Sequence, residues 1–256
     1  MRIERVPIAV STRGATGRTA AYVVGRSDAL LVDPAAPDGR LEAELGRIAH
    51  LAVTHHHPDH VGGVQAYAEA ADATVWCRYG REAAFTDATG VTPDRTFREG
   101  TEILVDGGTV SVHETPGHAP EHVAFAAGGT LLVGDLAVAD GSVVVGAPEG
   151  DMRSYLTSLR RVRAMAPERL SPGHGPVVED PPSVCERLLR HRLGREARVL
   201  AAVETGNRDV AEILDVAYGK DLTGVRDLAG MTVRAHLDKL HYEGRIEWDG
   251  SRADPA

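Results

Sequence analysis

The chain has 256 residues, 43% hydrophobic but only 4% aromatic, enough for one large domain or a medium domain plus a small one packed on aliphatic side chains. A formal charge of -9 disfavours general attraction to nucleic acid or an anionic membrane, so an anionic substrate would need a local patch or metal ions. Cys77 and Cys185 form no Cys-x-x-Cys pair, Met1–Pro7 lacks a secretory apolar region, and no run approaches the roughly 18 apolar residues of a spanning helix, so a cytoplasmic protein with reduced thiols and no membrane partner is expected.

Short apolar runs bounded by Gly, Ser, Asp or Pro predict strands at Val6–Val10, Ala20–Val24 and Ala29–Val32. Asp33-Pro34 closes the third, and residues before proline avoid helical geometry. Leu41, Leu45 and Ile48 are spaced for a helix over 39–48, and a second helix is expected over Val61–Ala71. A strand at Thr74–Cys77, a helix at Tyr79–Phe85 and a loop over 90–100 follow. Strands are expected at Thr109–Glu114, Val123–Ala127, Thr130–Val133 and Val143–Val145, then a helix from an Asp151 cap to about Met165. A short strand leads from Arg169 to a turn at His174. This mixed α/β body spans residues 1–180. After Pro181-Pro182 one long helix links (181–206) to a tail (207–256) read as short helices over Val210–Tyr218, Leu222–Ala229 and Met231–Glu243 with a β segment at Arg245–Trp248, a small winged-helix unit.

The chemistry concentrates in Val53-Thr54-His55-His56-His57-Pro58-Asp59-His60. An apolar strand runs out into four histidines and an aspartate, and imidazole nitrogens and carboxylate oxygens are ligands for Zn²⁺ and similar ions. His55, His57, Asp59 and His60 read as a metal cradle, with His56 facing away. Three more positions lie where a strand ends in a Gly-containing loop: His118 in Thr-Pro-Gly-His, Asp135 in Leu-Val-Gly-Asp and His174 in Ser-Pro-Gly-His. Each alone carries little, but their order after the first cluster is informative.

That order, His-x-His-x-Asp-His, Gly-His, Gly-Asp, Gly-His, resembles the metallo-β-lactamase superfamily over about residues 5–178. The resemblance implies an αββα sandwich with a metal site at one edge. It places His55, His57 and His118 on a first metal, Asp59, His60 and His174 on a second, and Asp135 between them. Two Zn²⁺ ions are the implied cofactor. A water bridging two such ions loses its proton near neutral pH and becomes the nucleophile, while the ions polarise the substrate oxygen. Asp59 is then a candidate catalytic group as well as a ligand. His122, four residues after His118, is the second candidate, as a donor behind a ligand or a contact to substrate oxygens.

The departures narrow the reading. True β-lactamases generally lack an aspartate at the position of Asp135 and are exported, di-iron flavoproteins carry an acid where His57 stands, and mononuclear iron dioxygenases do not use the late histidine. The tail resembles the beta-lactamase-like protein 2 group, which implies an ester, thioester or single-stranded RNA substrate, with a glyoxalase II-like thioesterase as an alternative. Acids outnumber bases nine to six between Asn207 and Asp249, Lys220 included, which argues against a nucleic-acid-binding tail and against a regulator with an inert metal body. On the link helix Arg187, Arg190, Arg192, Arg195 and Arg198 face only two glutamates, a strip suited to steering a phosphate or a phosphopantetheine arm. Oligomeric state is not legible.

Overall fold

The computed structural model describes residues 1–12, 17–219 and 221–256; Lys220 lies outside them. The chain divides into two compact units. One comprises Met1–Thr115, Glu121–Gly141 and Ala166–Pro181; the other comprises Pro116–Pro120, Ser142–Met165 and Pro182–Ala256. The division is therefore not the three consecutive segments expected, because two internal stretches cluster with the C-terminal residues.

The first unit holds two sheets. Strands β1 (Ile3–Ala9), β2 (Arg18–Val24), β3 (Ala29–Val32), β4 (Ile48–Ala52), β5 (Thr74–Arg78) and β6 (Arg95–Phe97) lie in sequence order, antiparallel up to β3 and parallel from β3 onward. The second sheet, β7 (Glu102–Val105), β8 (Gly108–Glu114), β9 (Val123–Ala127), β10 (Thr130–Gly134) and β11 (Arg169–Pro172), is antiparallel except for β10–β11.

Period-two patterning sorts the buried side chains. Ala20, Tyr22 and Val24 with Leu30 and Val32 pack against Val110, Val112, Phe125 and Leu132 of the second sheet. Their neighbours Ala21, Val23, Ala29 and Leu31 face the other way, onto Leu41, Val61, Val64, Tyr67 and Phe85. Those residues come from α1 (Gly39–Glu42), α2 (Pro58–Val61), α3 (Val64–Ala71) and α4 (Glu82–Thr89).

The helix expected over 39–48 stops early: α1 gives way to a 3-10 turn at Leu45–Arg47, and Ile48 opens β4. The one expected over Val61–Ala71 is two helices parted at Gly62-Gly63. A Cβ at Gly62 would stand 2.5 Å from the Ala35 carbonyl oxygen and one at Gly63 2.6 Å from that of Pro34, so this turn must be glycine to let the backbone after β3 pass.

The second unit contains α5 (Met152–Met165), α6 (Pro181–Glu204, its first residue apart), α7 (Val210–Ala217), α8 (Arg226–Tyr242) and the hairpin β12 (Ile246–Trp248)–β13 (Ala253–Pro255). Val199, Ala202 and Val203 at the end of α6 pack with Ile213, Leu214, Val233, Leu237 and Trp248. The tail thus holds two helices, not the three expected within 207–256, and α6 completes their core. Val143–Val145 is not a strand. Among the described residues no helix is long and apolar enough to cross a membrane.

Phe125 is fully buried and meets Phe97 edge to face at 5.7 Å between ring centres. Phe125→Ala is expected to lower unfolding free energy by about 3–5 kcal/mol, measured by urea denaturation. A loss below ~1 kcal/mol would show that the space between the sheets collapses without it.

Candidate metal centre

The His-rich segment begins where β4 ends. Because β3 and β4 are parallel neighbours with Val32 opposite Ala52, Asp33 just beyond β3 comes beside Thr54 just beyond β4. Asp33 is 1% exposed and sits at φ +52°, left-handed where the Asp-Pro pair suggested extended backbone. Its carboxylate accepts from the Thr54 N–H at 2.7 Å, the Thr54 hydroxyl at 2.8 Å and His60 Nδ1 at 3.0 Å.

These bonds settle which imidazole nitrogens carry lone pairs. His60 donates its Nδ1 proton to Asp33, which leaves Nε2 as the electron-pair donor. Thr54 spends its hydroxyl proton on Asp33, so at 3.0 Å it accepts from His55 Nδ1 and leaves His55 Nε2 as the second donor. His55 Nε2 and His57 Nδ1 approach to 3.1 Å. His174 Nδ1 donates to the Arg18 carbonyl at 2.8 Å, again exposing Nε2. In the second unit His118 does the same, with Nδ1 donating to the Val144 carbonyl at 2.6 Å.

The first unit brings together most of the expected site. His55, His60 and Asp135, and likewise Asp59, His60 and His174, each offer a ligand atom within 4.8 Å of the others in the group. His174 Nε2 stands 3.4 Å from both Asp59 Oδ2 and Asp135 Oδ2. His60 Nε2 is buried without a hydrogen-bond partner among the described residues, 3.6 Å from Asp135 Oδ1. An orphaned nitrogen facing a carboxylate oxygen at that distance suits a divalent cation held between them. The cradle is walled by Gly173, where a Cβ would come 2.6 Å from His60 Cε1 and 2.8 Å from Asp135 Oδ1.

His122 is placed differently from the expectation of a substrate contact. It is fully buried; Nδ1 donates to Thr115 Oγ1 at 2.9 Å, and Nε2 accepts the Asp135 backbone N–H at 3.1 Å. The ring therefore holds Asp135 in place. Gly134, at φ +44°, makes room for it, since a Cβ there would lie 2.9 Å from His122 Nε2. His56 faces away from the cluster: its ring packs on Phe85 and its N–H donates to buried Glu121.

The arginine strip on α6 is largely internal wiring. Arg192 and Arg195 are buried; Arg192 donates to the Val143 carbonyl, and Arg195 and Arg198 both donate to the Ala217 carbonyl at the end of α7. Arg190 pairs with Glu186 on its own helix. A charge count along a helix does not distinguish arginines that cap backbone from arginines that greet a ligand.

Sequence reasoning missed Asp33, which it read only as the end of a strand. Its signal was an aspartate leaving a strand adjacent to the His-rich one, visible once strand order is known.

Charge within the centre is strongly coupled. Burial pushes the His60 imidazole down, but Asp33 and Asp135 outweigh it and hold its pKa up at about 10. Burial likewise opposes His174, yet hydrogen bonds to Asp135 and Asp59 take it to about 11. Asp59, raised by burial, is brought down to about 2 by bonds from His174 and Thr12 and by His60.

This wiring makes metal affinity sensitive both to pH and to Asp33. A cation taking His60 and His174 Nε2 displaces protons that these carboxylates favour, so apparent Zn²⁺ affinity should rise between pH 6 and 8, by up to about tenfold per pH unit for each proton released. Chelator competition across that range measures it, and a flat profile would show that no proton leaves. Asp33→Asn removes an acceptor the three donors need, and Zn²⁺ affinity should fall about 10–100-fold. Wild-type affinity in that variant would contradict the assigned tautomers.

Comparison with known proteins agrees with this geometry. Residues 14–174 match the family model described as the metallo-beta-lactamase superfamily. A beta-lactamase-like protein 2 homolog from Drosophila melanogaster is 32% identical over 220 residues, covering 80% of this chain and 73% of that protein. An atrochrysone carboxyl ACP thioesterase from Aspergillus fumigatus is 26% identical, covering 82% of this chain and 71% of its own. In fold, a metallo-beta-lactamase family protein from Thermus thermophilus superposes with a TM-score of 0.81 at 23% identity, over 99% of this chain and 98% of that one. The chain belongs to the metallo-beta-lactamase superfamily, as a metal-dependent hydrolase similar to beta-lactamase-like protein 2.

Proposed function

We propose that the protein is a dinuclear zinc hydrolase acting on a thioester. His55, His57 and His118 would hold the first ion, Asp59, His60 and His174 the second, with Asp135 shared. The observation that carries this reading is buried His60 Nε2 facing Asp135 while His174 Nε2 stands between Asp135 and Asp59. Those atoms offer nitrogen and carboxylate donors in the mixture that zinc accepts. When bound, the ions supply a water acidic enough to act as nucleophile at neutral pH and a Lewis acid for the substrate carbonyl.

The chain's own residues do the rest. Asp33 and Thr54 keep His60 and His55 in the electron-donating tautomer, and the Arg18 carbonyl does so for His174. His122 fixes the backbone of Asp135 and so the direction of its carboxylate. Asp59, half-buried in the first turn of α2 and 3.4 Å from His174 Nε2, would be both a ligand of the second ion and the acceptor for a proton of the nucleophile.

Support for a thioester comes from the charge of the chain and from the thioesterase named among its relatives. A thioester also needs no run of phosphate contacts, and three of the five arginines that might have provided one, Arg192, Arg195 and Arg198, are engaged with backbone.

Purified, zinc-loaded protein assayed on an acyl-coenzyme A, on S-lactoylglutathione and on single-stranded RNA should hydrolyse a thioester and lose that activity with EDTA. RNA cleavage without thioester hydrolysis would replace this reading with the endoribonuclease one. Activity that survives chelation, or iron with a single occupied position on elemental analysis, would overturn it.

A further inference from the structure

His174 reaches the cradle in a way the other ligands of the first unit do not. His55 to His60 leave β4, an interior strand, and Asp135 follows β10, also interior. His174 follows β11, a four-residue strand at the edge of its sheet, paired with β10 up to Pro172 and bridged at Leu170 to Val178 on the far side of the loop. Between Pro172 and that bridge no ladder pairing holds the backbone among the described residues, and such a loop needs other partners to stay in one conformation.

The partners come from the first two strands of the chain, some 150 residues earlier. Tyr22, 2% exposed, donates its hydroxyl to the Pro172 carbonyl at 2.7 Å. The Ala20 N–H donates to the Gly173 carbonyl at 2.8 Å, and Arg5 donates to the Gly175 carbonyl at 2.7 Å. The Arg18 carbonyl takes the His174 Nδ1 proton. Three of the four carbonyls from Pro172 to Gly175 are thus held by one hairpin. From the other side the Gly173 N–H donates to the Gly134 carbonyl at 2.9 Å, beside Asp135.

Arg5 and Tyr22 act as a unit. They are directly opposed in the β1–β2 register, and the Arg5 guanidinium and the Ser171 hydroxyl act on the phenol against the effect of its burial. A buried phenol that packs between the sheets and donates its proton to Pro172 is held in one orientation.

We infer that the Arg5–Tyr22 pair is the positioning element for the second metal position, setting its affinity separately from that of the first. The inference rests on the dinuclear reading above. The ligands assigned to the first position alone are His55, His57 and His118, none of which lies on the clamped loop, so the pair bears chiefly on the second ion. Neither residue is among the candidate metal ligands.

The test is a Co²⁺ titration of wild type, Tyr22→Phe, Arg5→Gln and Arg5→Lys, following the visible absorption bands, with stoichiometry read by chelator competition. The second equivalent should bind about 10–100-fold more weakly in Tyr22→Phe and Arg5→Gln, the range found for residues that orient ligands. The first should keep its affinity and spectrum. Arg5→Lys, which keeps a cationic donor, should recover part of the loss. Circular dichroism and thermal melts separate this from misfolding; should Tyr22→Phe fail to fold, Arg5→Gln decides. Two ions bound as tightly in the variants as in wild type, or an equal loss at both positions, would overturn the positioning role while leaving the dinuclear reading intact. A wild type that takes up one equivalent would overturn both.

Discussion

A single buried carboxylate organises the centre. Asp33 lies between two parallel strand ends and takes a hydrogen bond from three groups: the Thr54 N–H, the Thr54 hydroxyl and His60 Nδ1. Burying a carboxylate is expensive unless its lone pairs are satisfied, and here each bond also fixes something the site needs. The Thr54 N–H fixes where the His-rich segment starts. The hydroxyl, by donating to Asp33, becomes an acceptor and so sets the tautomer of His55. The third bond sets His60. The left-handed backbone at Asp33 costs of order 1–3 kcal/mol, and aspartate is among the few residues that tolerate it.

The same logic repeats with cheaper acceptors around the periphery. His174 leans on the Arg18 carbonyl, His118 on that of Val144, and His122 on the Thr115 hydroxyl. In each case Nδ1 is occupied by an acceptor that belongs to the scaffold. His174 and His118 thereby leave Nε2 as the nitrogen able to serve as a ligand in the proposed centre, whereas His122 turns it onto the Asp135 N–H. One residue type thus gives two candidate ligands and a brace, and what separates them is the atom waiting on the far side of the ring. Residue spacing does not carry that information, which is why His122 looked like a participant in the chemistry.

How much was legible depends on range. Strands bounded by Gly, Asp and Pro were readable because alternation is local, as at Ala29–Val32, where expectation and structure coincide. β7 was missed because Glu102–Val105 is short and Leu104 is a large apolar side chain 70% exposed, which blurs the alternation with Ile103 and Val105. The two helices expected around Gly230 are one because a helical glycine costs about 1 kcal/mol, less than is gained by burying Ala229, Val233, Leu237 and Leu240 on one face. The ligand set was legible as a pattern of motifs. Its supports were not: Asp33 with Thr54 is a pairing created by strand order, and Tyr22 with Pro172 one created by packing one sheet on the other.

Strand order also accounts for how little the site depends on flexible chain. Four of the carbonyl and carboxylate groups that orient its histidines or its loops, those of Asp33, Arg18, Pro172 and Gly173, lie on or next to the ends of strands already committed to the sandwich core. Packing Tyr22, Leu30 and Val32 between the sheets therefore does two things at once. It stabilises the fold, and it brings the acceptors to their stations before any ion arrives. A cation then meets ring nitrogens already aimed, and little of its binding free energy goes to ordering side chains. What it must still displace are protons on His60 and His174, which the neighbouring carboxylates hold. Protons and metal compete for one set of electron pairs in one geometry, so the carboxylates that serve a divalent cation are those that stabilise the imidazolium ions in its place.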